Sequence, residues 1–406
     1  MDVDAVVEET TPASKEFLEV CRLGDTEAFK PDMFTDSAKN TECLMAAVDG
    51  PTGNEALVKY LLENKVDFDV HAEKNRAFKL AAKYKHENIF QHLLDYATEN
   101  KGDLTEPFFG LTNPYVLYDE VGRSYHRRYQ LSSSILRVVA EYGRNLLLTQ
   151  IEKKKVVFPK AERDDAYIAA AVRNKPPIMR TLKKMFKVNA FDEQTVREAL
   201  FGAAELGNTE VVKLLIKEDR PDISAENYYA IKVATKNGHL ATVQELIKGD
   251  GVDLSFVDSG VVDPYIAYAS YTSRFPLDFH PLRIAAETGQ LELVKYFLTL
   301  DISADVLGEA AIAASFRGQK EALDLILEHQ NAVHECFEFE PLFAAVQGKH
   351  AKIFSELATR ECNLSVNGET KKVTLNPVPE NVKAELAFLL KDSSDEIKNV
   401  AKSLGL

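Results

Sequence analysis

Between His280 and Leu298 the chain reads HPLRIAAETGQLELVKYFL, and its apolar positions fall in two short runs at helical spacing. Leu282, Ile284, Ala285 and Ala286 form the first run. Leu291, Val294, Phe297 and Leu298 form the second, with Glu287-Thr288-Gly289-Gln290 between them. This pattern predicts a helix, a tight turn and a second helix. Pro281 suits a first helical turn, where its missing N–H would have had no partner. Gly289 can take a positive φ at no steric cost, which ends the first helix and reverses the chain. So short a pair cannot bury its apolar face alone and needs like neighbours on both sides.

Those neighbours recur. Two small residues, two variable ones and a glycine are found ending at Gly24, Gly50, Gly143, Gly207, Gly238, Gly289, Gly318 and Gly348, with Lys85 and Asn174 in the same place in two further units. Seven of the nine intervals between these positions lie near thirty residues. With this period, and with openings that read His280-Pro281-Leu282-Arg283 and Glu340-Pro341-Leu342-Phe343, the chain resembles the ankyrin repeat family from about residue 16 to 360. The resemblance implies an all-α fold, an ankyrin-type helical repeat solenoid of about ten helix-turn-helix units with two long inter-repeat insertions.

The expected organisation follows in order. Residues 1–14 read as a disordered acidic tail and 15–97 as N-terminal repeats. Residues 98–131, punctuated by Gly and Pro and rich in aromatics, read as an inserted loop or hairpin. Degenerate basic repeats occupy 132–190, and further repeats 191–360, interrupted by an insertion at 251–279. Residues 361–406 form a capping segment: a loop or small hairpin, then two helices, the second opened by a capping box of Ser393 and Glu396. At Lys85 a turn residue other than glycine gives up the cheap positive φ.

Composition narrows the chemistry. Four cysteines (Cys21, Cys43, Cys336, Cys362) show no CxxC pair and no histidine partners at metal spacing, and read as free thiols of a reducing compartment, cytoplasmic or nuclear. The N-terminal stretch lacks the apolar core of a leader peptide, and no run approaches the length of a membrane span. Nine scattered histidines include no i, i+4 pair of a zinc helix. Neither a phosphate-binding Gly-Lys-Ser/Thr loop nor a GxSxG elbow is found. The expectation is a non-enzymatic chain with no catalytic, cofactor or metal site.

The net charge of −14 conceals a division into three: −12 over 1–122, +11 over 123–187 and −13 over 188–406. A basic middle between acidic arms is either a solvated face paired with those arms or a docking band for an acidic or phosphorylated segment. Acidic arms would equally suit a basic client. Nucleic acid is disfavoured, because the overall field is negative.

Ankyrin resemblance implies a protein partner lying along the concave row formed by the two variable places before each turn glycine. In this chain these are Glu205 and Leu206, Lys236 and Asn237, Glu287 and Thr288, Phe316 and Arg317, Val346 and Gln347. Leu206, Phe316 and Val346 are apolar where water would be expected. A second candidate is a binding finger in the first insertion, carrying Tyr115, Tyr118, Tyr125, Arg127 and Arg128, since exposed Tyr and Arg anchor interfaces. The functional expectation is a protein-protein interaction scaffold or adaptor. The alternatives are a substrate-recognition or regulatory subunit of a larger enzyme assembly, or an escort of a basic client protein.

Overall fold

The computed structural model describes residues 15–23, 29, 33–100, 134–187, 191–249, 252, 280–329, 340–359, 361–366, 369–374 and 380–405. The expected tail, almost all of both insertions and the whole Tyr115, Tyr118, Tyr125, Arg127 and Arg128 finger lie outside these residues.

Described residues fall into two compact units, one ending at Ala203 and one beginning at Ala204, so the division lies near the end of the Glu193–Glu205 helix. The first unit is built from helix pairs: Ser37–Val48 with Glu55–Glu63, Ala72–Tyr84 with Glu87–Glu99, Ile135–Glu141 with Asn145–Lys153, and Lys160–Val172 with Pro176–Phe186. In the second, Thr209–Glu218 is followed by Ala225–Lys236 with Leu240–Ile247, Pro281–Thr288 with Leu291–Phe297, Ala304–Arg317 with Lys320–Leu327, and Glu340–Gln347 with Ala351–Thr359. Each is a helical repeat solenoid.

The first helices of successive pairs pack on one another, as Ile135–Glu141 does on Lys160–Val172 and Pro281–Thr288 on Ala304–Arg317. Alanines make this close approach possible: Ala140, Ala169, Ala170, Ala171, Ala285, Ala286, Ala310, Ala311 and Ala314 are wholly buried. Larger side chains on the second helices fill the layer behind them, among them Phe90, Leu93, Leu148, Leu215, Phe297 and Phe354. Each such side chain contributes about 1.5–3 kcal/mol of transfer free energy.

One hydrogen-bond pattern recurs at most turns. The Gly289 N–H donates to Ala286 O and the Gln290 N–H to Ala285 O, at 3.3 and 2.9 Å, with Gly289 at φ 71°. Gly143, Gly207, Gly238 and Gly318 sit in the same left-handed conformation. So do Lys85 (φ 66°) and Asn174 (φ 55°), which accept the strained region; Asn174 keeps the bonding pattern, while the Lys85 N–H goes to Ala81 O.

The last turn corrects the sequence register. There the Lys349 N–H donates to Val346 O and the His350 N–H to Ala345 O, at 3.1 and 2.9 Å, and Lys349 carries the positive φ of 64°. Lys349, not Gly348, is therefore the turn residue. Gly348 is glycine for another reason: a Cβ there would lie 2.1 Å from the Phe316 carbonyl oxygen. In the second pair the longer connection through Pro51 and Thr52 returns to register at Gly53 (φ 57°), against which the His86 ring packs.

At the N-terminal end, Lys15–Leu23 packs against Ser37–Val48, and a disulfide joins Cys21 to Cys43 with their Cα atoms 5.4 Å apart. Both cysteines are wholly buried. The expectation of free thiols is overturned for these two, and with it the argument for a reducing compartment. The pair was hidden because packing, not sequence spacing, brings the two helices together across 22 residues.

At the C-terminal end the helical class has one exception among the described residues. Glu361–Val366 and Glu369–Thr374 pair antiparallel in a small hairpin, with Cys362 opposite Val373. Two helices follow, Glu380–Lys391 and Asp395–Ser403. The second is capped by Ser394, whose Oγ accepts from the Ile397 N–H, so the expected Ser393 capping box is not formed. Ser393 Oγ donates instead to Leu390 O.

Candidate functional site

The two variable places before each turn lie at the C-terminal end of a first helix, and within each compact unit successive helix pairs present them in turn. What each contributes depends on how much of it the next unit uses. A repeating link consumes part of the row: the second variable residue, or the residue after the turn, reaches back to the preceding unit. Asn237 Nδ2 donates to Glu205 O at 2.8 Å and His239 Nε2 to the same oxygen at 3.0 Å. His350 Nε2 donates to Phe316 O at 3.0 Å, and His86 Nε2 to Gly50 O at 2.7 Å. Because a carbonyl only accepts, Nε2 carries the proton in each ring.

Two arginines make the link through charge. Arg317 Nε and Nη2 approach Glu287 Oε1 at 3.0 and 2.8 Å, and Arg173 makes the same pair of bonds to Glu141 Oε1 at 3.0 and 2.6 Å. Arg317 also lies over the Phe316 ring, 5.6 Å from its centroid. Thr288 turns its hydroxyl inward to Ile284 O at 2.7 Å.

Of the row residues read from sequence, Leu206 is 52% exposed and Asn237 and Arg317 are exposed. Glu205, Lys236, Glu287, Thr288, Phe316 and Gln347 are half-buried. Val346 is 1% exposed and belongs to the core. The one-residue shift of the last turn explains this: Val346 corresponds to Ala286, and Gln347 and Gly348 are the variable pair. Sequence held the signal, since the residue after the turn is His239, Gln290 and Gln319 at the three preceding turns, and His350 matches that place only if Lys349 is the turn.

Tyr142, 38% exposed and directly before Gly143, was missed as a row residue. Tyr84 occupies the equivalent place before Lys85, stacked on His86 with ring centroids 6.0 Å apart.

The basic middle separates into two places. Lys153, Lys183 and Lys184 stand in the last turns of second helices, where a cation meets the negative end of the helix dipole. Lys154 pairs with Asp95 at 2.6 Å, and Lys160 bridges Asp164 and Asp192 at 2.6 and 2.8 Å. The Lys160 ammonium, followed by the Thr195 N–H and hydroxyl, lowers the Asp192 carboxyl to about 2. Burial pushes Asp164 the other way. Glu55 is also lowered to about 2, chiefly by Lys59 and then by Asn88, with a smaller contribution from His92. Asn88 and His92 come from the following unit, so this carboxylate ties two repeats together. These are joints between units rather than a reacting constellation. Among the described residues no group of three or more His, Cys, Asp or Glu is placed to hold a metal ion, and no helix is long and apolar enough to cross a membrane.

The family model for ankyrin repeats (3 copies) matches residues 166–258. The chain carries ankyrin repeats. No curated protein matches it. The matched ankyrin segment includes the Gly207 and Gly238 turns, and with them Glu205, Leu206, Lys236 and Asn237 of the row. Ankyrin repeats are generally protein-protein interaction modules, so a protein is the expected kind of partner.

Proposed function

We propose that this chain is a non-enzymatic scaffold or adaptor that binds a protein partner through the row of residues at its turns. The observation that carries this reading is Leu206. It is half-exposed in a row whose polar members are largely turned to their neighbours: Arg317 to Glu287, Asn237 to Glu205 and Thr288 to its own helix. Links of this kind fix the row's shape and leave an apolar side chain facing outward, the residue type that gains most when a partner excludes water.

The test is site-directed photocrosslinking in native lysate, with the reactive side chain placed at Leu206 and, as control, at the 83%-exposed Val157. The reading expects one discrete protein adduct from position 206 that Val157 does not give. Equal labelling from both positions would overturn it.

A further inference from the structure

Within the first compact unit, the turns at Lys85, Gly143 and Asn174 differ from those of the second. In corresponding places they carry Lys83-Tyr84-Lys85, Glu141-Tyr142-Gly143 and Val172-Arg173-Asn174, with Lys175 following. Arg144 fastens the first two turns together, its Nε donating to Ala82 O at 2.7 Å and its Nη2 to Lys83 O at 2.9 Å. Tyr84 and Tyr142 thus stand on adjacent units. The Lys83 ammonium lies 4.8 Å from the centroid of the Tyr84 ring. It is raised first by Tyr84 and to a smaller extent by Tyr142, so both phenols are within electrostatic reach of one cation.

Charge in this strip is not balanced. Glu141 is neutralised by Arg173 and also meets Arg137 at 3.1 Å. Lys83 and Lys85 are exposed and form no salt bridge among the described residues. Lys175 lays its aliphatic stem over Gly143, which holds it at the same turn as Tyr142. Lys83, Lys85 and Lys175 thus stand at successive turns beside two tyrosines, and the Asp49 carboxylate acts on Lys83 from nearby.

We infer that Lys83, Tyr84, Lys85, Tyr142 and Lys175 form a docking strip for an acidic, extended segment of a partner protein. The inference deepens the protein-binding reading and rests on it. Lysine ammoniums supply the charge, and the tyrosines supply rigid ring faces and hydroxyl donors at small entropic cost. Neighbouring helices lie roughly 10 Å apart and an extended chain advances about 3.3 Å per residue, so one unit spans about three residues of the guest. Carboxylates at every third position would meet successive units. A nucleic acid fits less well, because its dense charge is repelled by the chain's net −14, whereas a short acidic segment presents few charges to it.

The probe is a short fluorescein-labelled Gly/Ser peptide with Glu at every third position, read by anisotropy against its Lys counterpart and a labelled oligothymidine. The full chain should bind the Glu peptide in preference to both others, more weakly as salt rises. Changing Lys83, Lys85 and Lys175 to Glu together should weaken binding about tenfold or more. The same change in net charge at Lys153, Lys155 and Lys184 should alter it less than about twofold, which separates local docking from the overall field. Tyr142→Ala, at an exposed position that leaves the lysines in place, should cost about threefold.

Equal loss from both lysine sets, no loss from the first, or preference for the Lys peptide or the oligonucleotide would overturn the strip. Circular dichroism of each variant shows that it remains folded. Failure here, with a discrete adduct still formed from Leu206 in the other compact unit, would leave the protein-binding reading standing; loss of the adduct alone would not touch the peptide result.

Discussion

Arg317 grips Glu287 across the junction of two repeats through two nitrogens on one carboxylate oxygen, with Glu287 only 16% exposed and Arg317 47%. A planar fork suits this and a lysine does not. Arg317→Ala should lower stability by about 0.5–1 kcal/mol, and Arg317→Lys should recover little of it. A double-mutant cycle with Glu287→Ala in urea should return a coupling of similar size. A coupling near zero would mean that the pair is incidental, and would return Arg317 to the surface available for partners.

The register of the last turn makes two opposite expectations for adjacent residues. Lys349→Gly should stabilise by about 0.5 kcal/mol, the relief of a left-handed lysine less the entropy a glycine loses on folding. Gly348→Ala should destabilise by about 2 kcal/mol or more, because the new methyl would collide with the Phe316 carbonyl. Thermal melts of the two variants check this directly. The reverse order of stabilities would restore Gly348 as the turn residue.

The Cys21–Cys43 bond closes a separation of 22 residues, for which loop entropy gives about 3 kcal/mol. Cys21 is the only residue wholly buried among those whose burial is described in the first helix, which otherwise rests on half-buried contacts such as Phe17 against Phe34, with ring centroids 6.3 Å apart, and on the Asn54 Nδ2 bond to Cys21 O. Reduction, or Cys43→Ser, should raise hydrogen exchange in 15–23 and 37–48 before it affects repeats beyond residue 134. Unchanged exchange in 15–23 after reduction would show that packing alone retains the helix.

Acid should loosen particular joints. Asp192 and Glu55 have folded values lowered to about 2 from the ordinary carboxylate range near 4. A lowered folded value means stability fully present above pH 4 and lost as pH falls through 2. Both groups are partly exposed, so each is worth about 1 kcal/mol or less at neutral pH. Asp192→Asn should lower the melting temperature at pH 7 and narrow the difference between pH 7 and pH 3. A difference as wide as that of the natural chain would locate the acid sensitivity elsewhere.

Helices, their pairing and most turns were legible because the determinants are local: apolar spacing, paired alanines, and a glycine able to take φ near 70°. Gly207, Gly238, Gly289 and Gly318 were read correctly for that reason. The last turn was misread because Gly348 offered the expected residue one place early, while its purpose was clearance for a neighbouring carbonyl. Whether Val346 faces water depends on that single step. Tyr142 lies outside the expected row because that row was taken only over the better-formed repeats, from Glu205 to Gln347. The disulfide was illegible in principle, for no local pattern reports which two helices touch.

Turn residues are each covered by a side chain from the unit after them: Gly53 by His86, Gly143 by Lys175, Gly207 by His239, Gly289 by Gln319 and Gly318 by His350. The smallest transferable module of this chain is consequently not a helix pair. It begins just after one turn and ends at the next, together with the covering side chain beyond. Cut there, units could be shuffled with matched seams; cut between helix pairs, an exchange would leave a ring, an amide or a lysine stem facing a stranger.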